Sequence, residues 1–504
     1  MSDTLKPIEK ICVLGGGSAG YLSAVALRRL LPGREVVVVQ SNKKPVIGVG
    51  ESTTAALPLF LHQTLGLERK RFYAEVEPSW KLGIRFIWGP PEIPHFNYTF
   101  SFELSDRANH DPLRKRAAYY CLNHQGHPGP LSALMDRDLS PCLFVYGGRY
   151  QMLKRPYGYH IDNKKFLAYL YAIGGEFGVQ FLTGDVVGID HHESGDVRSL
   201  KLEDGSEIEA DLFVDCSGFE SVLLGKALGE KFVDFADTLF CDSAIVSDYN
   251  REDLILPYTT AETMDHGWCW RTDLRDRVSL GYVHDSSFCS TDQAMQELKR
   301  KHPEVGDNMR RIKFPSGRYE NFWQRNVIAI GNSAGFVEPL ESTALHVIAE
   351  QLADVCGSLL DSDYRIEPVA REVANSRYRR TWDTIRDFLA LHYKFNERLD
   401  TPFWRSCREH TNLREAQPIV DMYQKLGPHK ACRELLPDKS LFQFEGYLAM
   451  LLGQRVPTAC NPRLDDQDLS DWATYQKSVT ETVSQAVSVR QALKIVSSPE
   501  WSWH

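Results

Sequence analysis

Residues Ile11–Gly20 read ICVLGGGSAG, and no other stretch of the chain restricts its fold so tightly. Ile11–Leu14 is apolar enough for a buried strand. Gly15 permits a tight turn, Gly17 lets the backbone approach a pyrophosphate, and Gly20 allows close packing of helix on strand. Ser18 and Ala19 open a run, Ser18–Leu31, with apolar residues at helical spacing and a Pro32-Gly33 stop, so a helix N-terminus would face the phosphates. Four consecutive valines within Glu35–Gln40 predict the next strand. A glycine triplet alone is weak evidence, but strand, glycines, helix and strand within about thirty residues form the context of a dinucleotide-binding unit. Gln40 closes the second strand where an acid normally holds the adenosine ribose. An amide still hydrogen-bonds a ribose, less strongly than a carboxylate.

The 504 residues, 43% hydrophobic and 25% charged, suffice for two or three subdomains. A net charge of -9 without any basic block argues against nucleic acid as a partner. No run approaches membrane-spanning length and Met1–Lys10 lacks the apolar core of a signal peptide, so a cytoplasmic protein with no membrane partner is expected. Eleven cysteines without a CxxC pair fit reduced, buried thiols. Cys407 with His410 is an isolated pair, and His191-His192-Glu193 beside Gly195 fits a hairpin turn, so no metal is expected.

Val46–Thr54 (VIGVGESTT) brings Gly48, Gly50, Glu51 and Ser52 into a loop equally compatible with a flavin contact and a surface turn. Pro78–Trp88 has period-two character, with Trp80, Leu82, Ile84 and Phe86 on one face and Lys81, Gly83 and Arg85 on the other. From that pattern alone Lys81 is a solvent-facing residue on a single strand. Aromatics cluster at His95–Phe102, and the polar stretch Asp106–Pro141 predicts loops and short helices over a pocket. Tyr157–Asp162 leads into a helix near Lys164–Phe177, and Ala210–Phe219 predicts a strand whose small-residue turn returns toward the cofactor. Thr238–Ala244 and Gly267–Val283 read as sheet, and Val327–Gly331 as a buried strand. Pro339 precedes a helix with its first turn at Ser342–Leu345, and from Ile366 onward the chain reads mainly as helices.

Taken together, GGGSAG, GVGEST at 48–53, WKLGIRFIW at 80–88, YGYHID at 157–162, ADLFVDCSGF, GWCW at 267–270, AIGNSAGFVEPLEST at 329–343 and IRDFLALHY at 385–393 resemble the flavin-dependent halogenases of the tryptophan-halogenase family. The resemblance implies an α/β fold: a flavin-monooxygenase-like FAD-binding module with a Rossmann-type βαβ start, plus a mainly helical C-terminal region. The module would span residues 1–365, with substrate-site insertions at about 90–155 and 225–310, and the helical subdomain 366–504. The cofactor implied is FAD, supplied reduced as FADH2 and contacted by Gly15, Gly17, Ser18, Ala19, Gly20, Gln40, Gly48, Gly50, Glu51, Ser52, Gly331 and Pro339. Chloride or bromide is the implied co-substrate, turned into hypohalous acid that travels to a separate aromatic site. Carried onto this sequence, the catalytic pair is Lys81 and Glu341, meeting in space although far apart in sequence, with the carboxylate keeping the lysine an ammonium. The halide would rest at the backbone amides of Thr343 and Ala344, where a helix terminus stabilises an anion by about 0.3–1 kcal/mol. Phe96, Phe100, Trp268 and Trp270 are the expected aromatic walls of a site for an electron-rich ring, with an indole the favoured substrate.

Two departures stand out. The family's WxWxIP pattern is here Trp268-Cys269-Trp270-Arg271-Thr272-Asp273, and Ala344 replaces the usual glycine. An FAD-dependent aromatic monooxygenase and a non-catalytic flavin-binding protein therefore remain as alternatives. The chain holds one dinucleotide motif in a strand–helix context, so a separate NAD(P)H-dependent flavin reductase is expected to supply the reduced cofactor. A homodimer is left open.

Overall fold

The computed structural model describes residues 6–43, 50–101, 129–145, 147–251, 253–436, 440–460 and 465–503. Gly48 and most of the polar stretch 106–141 lie outside the described residues.

The glycine-rich start folds as its pattern requires. Lys10–Leu14 is a strand, Ser18–Leu30 a helix and Glu35–Gln40 the next strand, with the four valines 0–2% exposed. These strands belong to a six-stranded sheet in the order Gln180–Thr183, Glu35–Gln40, Lys10–Leu14, Leu212–Asp215, Val327–Ala329, Trp323–Gln324. Pairing is parallel up to Val327–Ala329, and the last pair is antiparallel. A continuous apolar run suits strands buried on both faces, and ligands collect beyond their carboxyl ends.

A second, seven-stranded sheet holds Gly83–Ile87, Phe96–Thr99 and the antiparallel ribbon Thr259–Met264, Gly267–Asp273, Arg277–His284. The sheet expected from Thr238 begins instead at Ser243. A separate three-stranded sheet holds Gly50–Ser52, Gly158–Asp162 and Ser79–Lys81, and in it Ser52 and Ser79 both pair with His160.

The single strand expected over Pro78–Trp88 is two strands. Leu82 separates them and its N–H goes to the Pro257 carbonyl, so Ser79–Lys81 pairs in the small sheet and Gly83–Ile87 in the large one. Period two therefore does not carry across the break, and Lys81 is 0% exposed rather than solvent-facing. Beyond Pro368 the described residues are mainly helical, led by the 27-residue helix Pro368–Lys394.

Candidate functional site

A cavity of about 1060 Å³ opens at the carboxyl ends of the parallel strands. Gly15, Gly17, Ser18, Ala19, Gln40, Glu51 and Gly331 line it, together with the Cys216–Gly218 turn and Ala344. Its size matches an extended dinucleotide rather than a small metabolite. A Cβ on Gly17 would meet nothing within 4 Å, so the bare backbone faces open cavity where a phosphate can approach. Gly20 serves packing instead: its Cβ would stand 1.9 Å from the Gly15 carbonyl oxygen. FAD thus fits the residues present. Gly15, Gly17, Ser18 and Ala19 would hold the pyrophosphate at the helix N-terminus.

Gln40 is oriented by Tyr21, whose hydroxyl donates to its Oε1 at 2.5 Å. Asn163 Nδ2 donates to Glu51 Oε1 at 3.0 Å and to Ser18 Oγ at 2.8 Å, linking Glu51 to the start of the glycine-rich helix. Burial pushes the Glu51 carboxyl up to about 7, with Asn163 opposing. Gly50 and Pro339 do not line this cavity, and Ser52 points away from it toward Thr259.

Lys81 and Ser342 meet although 261 positions apart in sequence, and Glu341 adjoins Ser342. A 3-10 turn, Pro339–Glu341, is followed by Ser342 at φ 57, and the Ala344–Asp361 helix starts two residues later than the expected first turn. This sharp reversal presents Ser342 Oγ to Lys81 Nζ, which donates to it at 2.6 Å. Burial lowers Lys81 to about 7, and the nearby Glu341 charge only partly opposes that. The expectation of a lysine held firmly as ammonium is thereby corrected: desolvation of a fully enclosed amine outweighs one carboxylate. Glu341 is raised by its own burial, against His392 and Lys81.

Thr343 is the N-cap and Ala344 the first helical residue. Thr343 sits at φ -83, and Ala344 is absent from the positive-φ residues, so its methyl is no obstacle to a helical conformation. The four aromatics expected as walls lie in different surroundings. The Phe100 ring centroid lies 5.5 Å from Lys81 Nζ. Phe96 stacks on Phe86 at 5.2 Å, and Phe86 in turn meets the His392 ring at 5.2 Å. Trp268 and Trp270 are adjacent, 6.2 Å apart on one face of their strand, and a Cβ on Gly281 would collide with the Trp270 ring at 1.9 Å.

Asp273, one of the two departures from WxWxIP, is 0% exposed and has local work to do. It pairs with Arg271 at 2.8 Å and accepts the Leu256 N–H at 3.1 Å, tying the strand end to the neighbouring loop.

The family model for tryptophan halogenases matches residues 10–468. The chain belongs to the tryptophan halogenase family. It is a flavin-dependent halogenase, an oxidoreductase with the α/β FAD-binding fold. The halogenase is 33% identical over 444 residues to tryptophan 7-halogenase KtzQ of Kutzneria, covering 83% of this chain and 82% of that one. Among solved structures it is similar to MibH, a tryptophan 5-halogenase, with TM-score 0.88, 33% identity and coverage of 99% and 95%. It is also similar to Xcc4156, a flavin-dependent halogenase from Xanthomonas campestris, with TM-score 0.87, 26% identity and coverage of 97% and 99%.

Several residues of the halogenase's site carried no sequence signal of their role. His392 and Tyr393 are consecutive on one helix and hold Glu341 and Glu338, at 2.8 Å and 2.5 Å. Both fall in the IRDFLALHY block, whose match alone could have drawn attention to them.

Proposed function

We propose that the halogenase uses reduced FAD, O2 and chloride or bromide to halogenate an indole, with Lys81 and Glu341 acting at the ring. The observation that carries this reading is the enclosed Lys81 amine on Ser342 beside Glu341, one turn from a helix start, Ala344, that lines the FAD cavity. An indole is the substrate because tryptophan is named for both KtzQ and MibH. When bound in reduced form, FAD together with O2 converts a halide and a proton into hypohalous acid, leaving oxidised flavin and water.

At the ring, Lys81 as ammonium donates to the oxygen of hypohalous acid. The oxygen–halogen bond breaks, the carbon–halogen bond forms, and the oxygen leaves as water with the lysine proton. Glu341 takes the proton released from that ring carbon and gives it up to water after the product leaves, while Lys81 regains one for the next turnover. His392 holds Glu341 in place. The amides of Thr343 and Ala344 are the proposed halide site, and a separate flavin reductase supplies the reduced cofactor.

The deciding assay supplies reduced FAD, O2, bromide or chloride and a mixture of indoles and phenols, with products read by mass spectrometry. Halogenated indole is the expected product. Hydroxylated product in its place assigns the scaffold to monooxygenation, and no product at all sinks the catalytic reading.

A further inference from the structure

A line of buried hydroxyls runs from Lys81 away from the ring site. Ser342 accepts the Lys81 hydrogen bond at 2.6 Å and donates its own proton to Ser52 Oγ at 3.1 Å. Ser52 and Thr259 hydroxyls are 2.7 Å apart, and Thr259 Oγ1 is 3.0 Å from His160 Nε2. Burial, and secondarily the Lys81 charge, press His160 down to about 3 despite the Asp273 backbone, so its imidazole is neutral and offers one nitrogen as an acceptor. In the tautomer that turns the Nδ1 proton toward the Asp273 backbone, Nε2 is that acceptor and every proton in the line points one way, from lysine toward imidazole.

We propose that Ser52 and Thr259 are positioning residues that, through Ser342, fix the direction and favour the charged form of the Lys81 amine. A hydroxyl has one proton. While Ser342 spends it on Ser52, only lone pairs face Lys81, and these suit an ammonium best. Without that anchor the Ser342 proton turns toward the amine and bonds its lone pair, which favours the neutral form. The other groups facing Lys81 stay in place. They are Glu341 on the 3-10 turn, held by His392 of the long helix, His160 on the adjacent strand, and the Phe100 ring. Ser52 also adjoins Glu51, which lines the FAD cavity, so the cofactor loop and the lysine are two hydrogen bonds apart.

This inference rests on the proposed role of Lys81 only for its effect on rate, and the test separates the two. The full-length protein carrying nitrogen-15 at lysine Nζ is titrated by NMR, with the signal absent from Lys81→Met assigning the resonance. Ser52→Ala and Thr259→Val should lower the Lys81 midpoint by about half a unit or more, a roughly threefold change in proton affinity. Thr259→Ser, which keeps the hydroxyl, should restore it. The alkaline limb of product formation at saturating FAD should move down with the midpoint. An unchanged midpoint in both folded variants overturns the positioning role whatever the activity. A shifted midpoint in a protein that makes no halogenated product leaves the positioning role standing and removes the proposed function.

Discussion

Nε2 of His392 stands 2.8 Å from Oε1 of Glu341, and neither side chain is more than 3% exposed. The imidazole is enclosed by Phe86 and Phe388, each with its ring 5.2 Å away. Its Nδ1 lies 3.1 Å from the Phe388 carbonyl, so the ring cannot swing off the carboxylate without losing a second bond. Glu341 is thereby aimed rather than merely buried.

Glu341→Gln should leave FAD binding intact and slow product formation, because an amide cannot take the ring proton. His392→Leu should slow it through loss of aim. A loss of at least about tenfold in kcat, some 1.4 kcal/mol of barrier, is the expectation for each. Single-turnover product yield and FAD fluorescence titration check this together. Normal turnover in Glu341→Gln removes that carboxylate from the chemistry.

Lys81→Ala should abolish halogenated product while reduced FAD and O2 are still consumed, the oxidant escaping as peroxide or hypohalite. In the wild-type protein, product formation should fall as pH rises through about 7, where the ammonium is lost. A rise over the same interval favours capture of the halogen by the neutral amine.

The same lysine makes stability depend on pH. Its pKa is lowered from 10.5 to about 7 on folding, so between those values the unfolded chain binds more protons and stability climbs with pH. Lys81→Met should therefore raise the melting temperature most at or below pH 7, and the advantage should shrink toward pH 10. Thermal melts across that range read it directly, and an advantage that grows with pH contradicts the depressed pKa.

Gly17 and Gly20 should respond oppositely to alanine. Gly17 has φ -92 and empty space where a Cβ would go, so Gly17→Ala should fold normally yet weaken FAD by about tenfold or more. Gly20→Ala drives a methyl into the Gly15 carbonyl and should destabilise the protein itself. Melting curves with and without FAD distinguish loss of ligand from loss of fold.

Ala344→Pro deletes the N–H at the first helical position, where proline is otherwise tolerated. The halide concentration for half-maximal rate should rise, with FAD affinity retained. The same halide dependence in a folded variant excludes this amide as the anion site.

The nucleotide half of the site was legible because its signal is local. Strand, glycines, helix and valine strand are one contiguous unit, and the structure places Gly15, Gly17, Ser18, Ala19, Gln40 and Glu51 on one cavity. Lys81 was legible only through resemblance, since periodicity put it in solvent. What buries it is the switch of sheets at Leu82 and the covering turn at Ser342, both contacts with distant segments. His392, Thr259 and His160 are invisible to spacing for the same reason. Each is an ordinary residue of a helix or strand until a remote partner faces it.

The helix Pro368–Lys394 also bears on how the protein comes into being. Every strand of the six-stranded sheet and the Ala344–Asp361 helix precede it, so the flavin cavity's walls are all synthesised before residues 392 and 393. Until those two emerge from the ribosome, Glu341 lacks the His392 imidazole and Glu338 the Tyr393 hydroxyl, and two carboxylates must stay hydrated at a place meant to be dry. A nascent chain can thus shape its cofactor cleft early, while the aromatic site closes only as the C-terminal helices arrive. The two halves of the site are separated in the order of synthesis, and the late helix is the step that joins them.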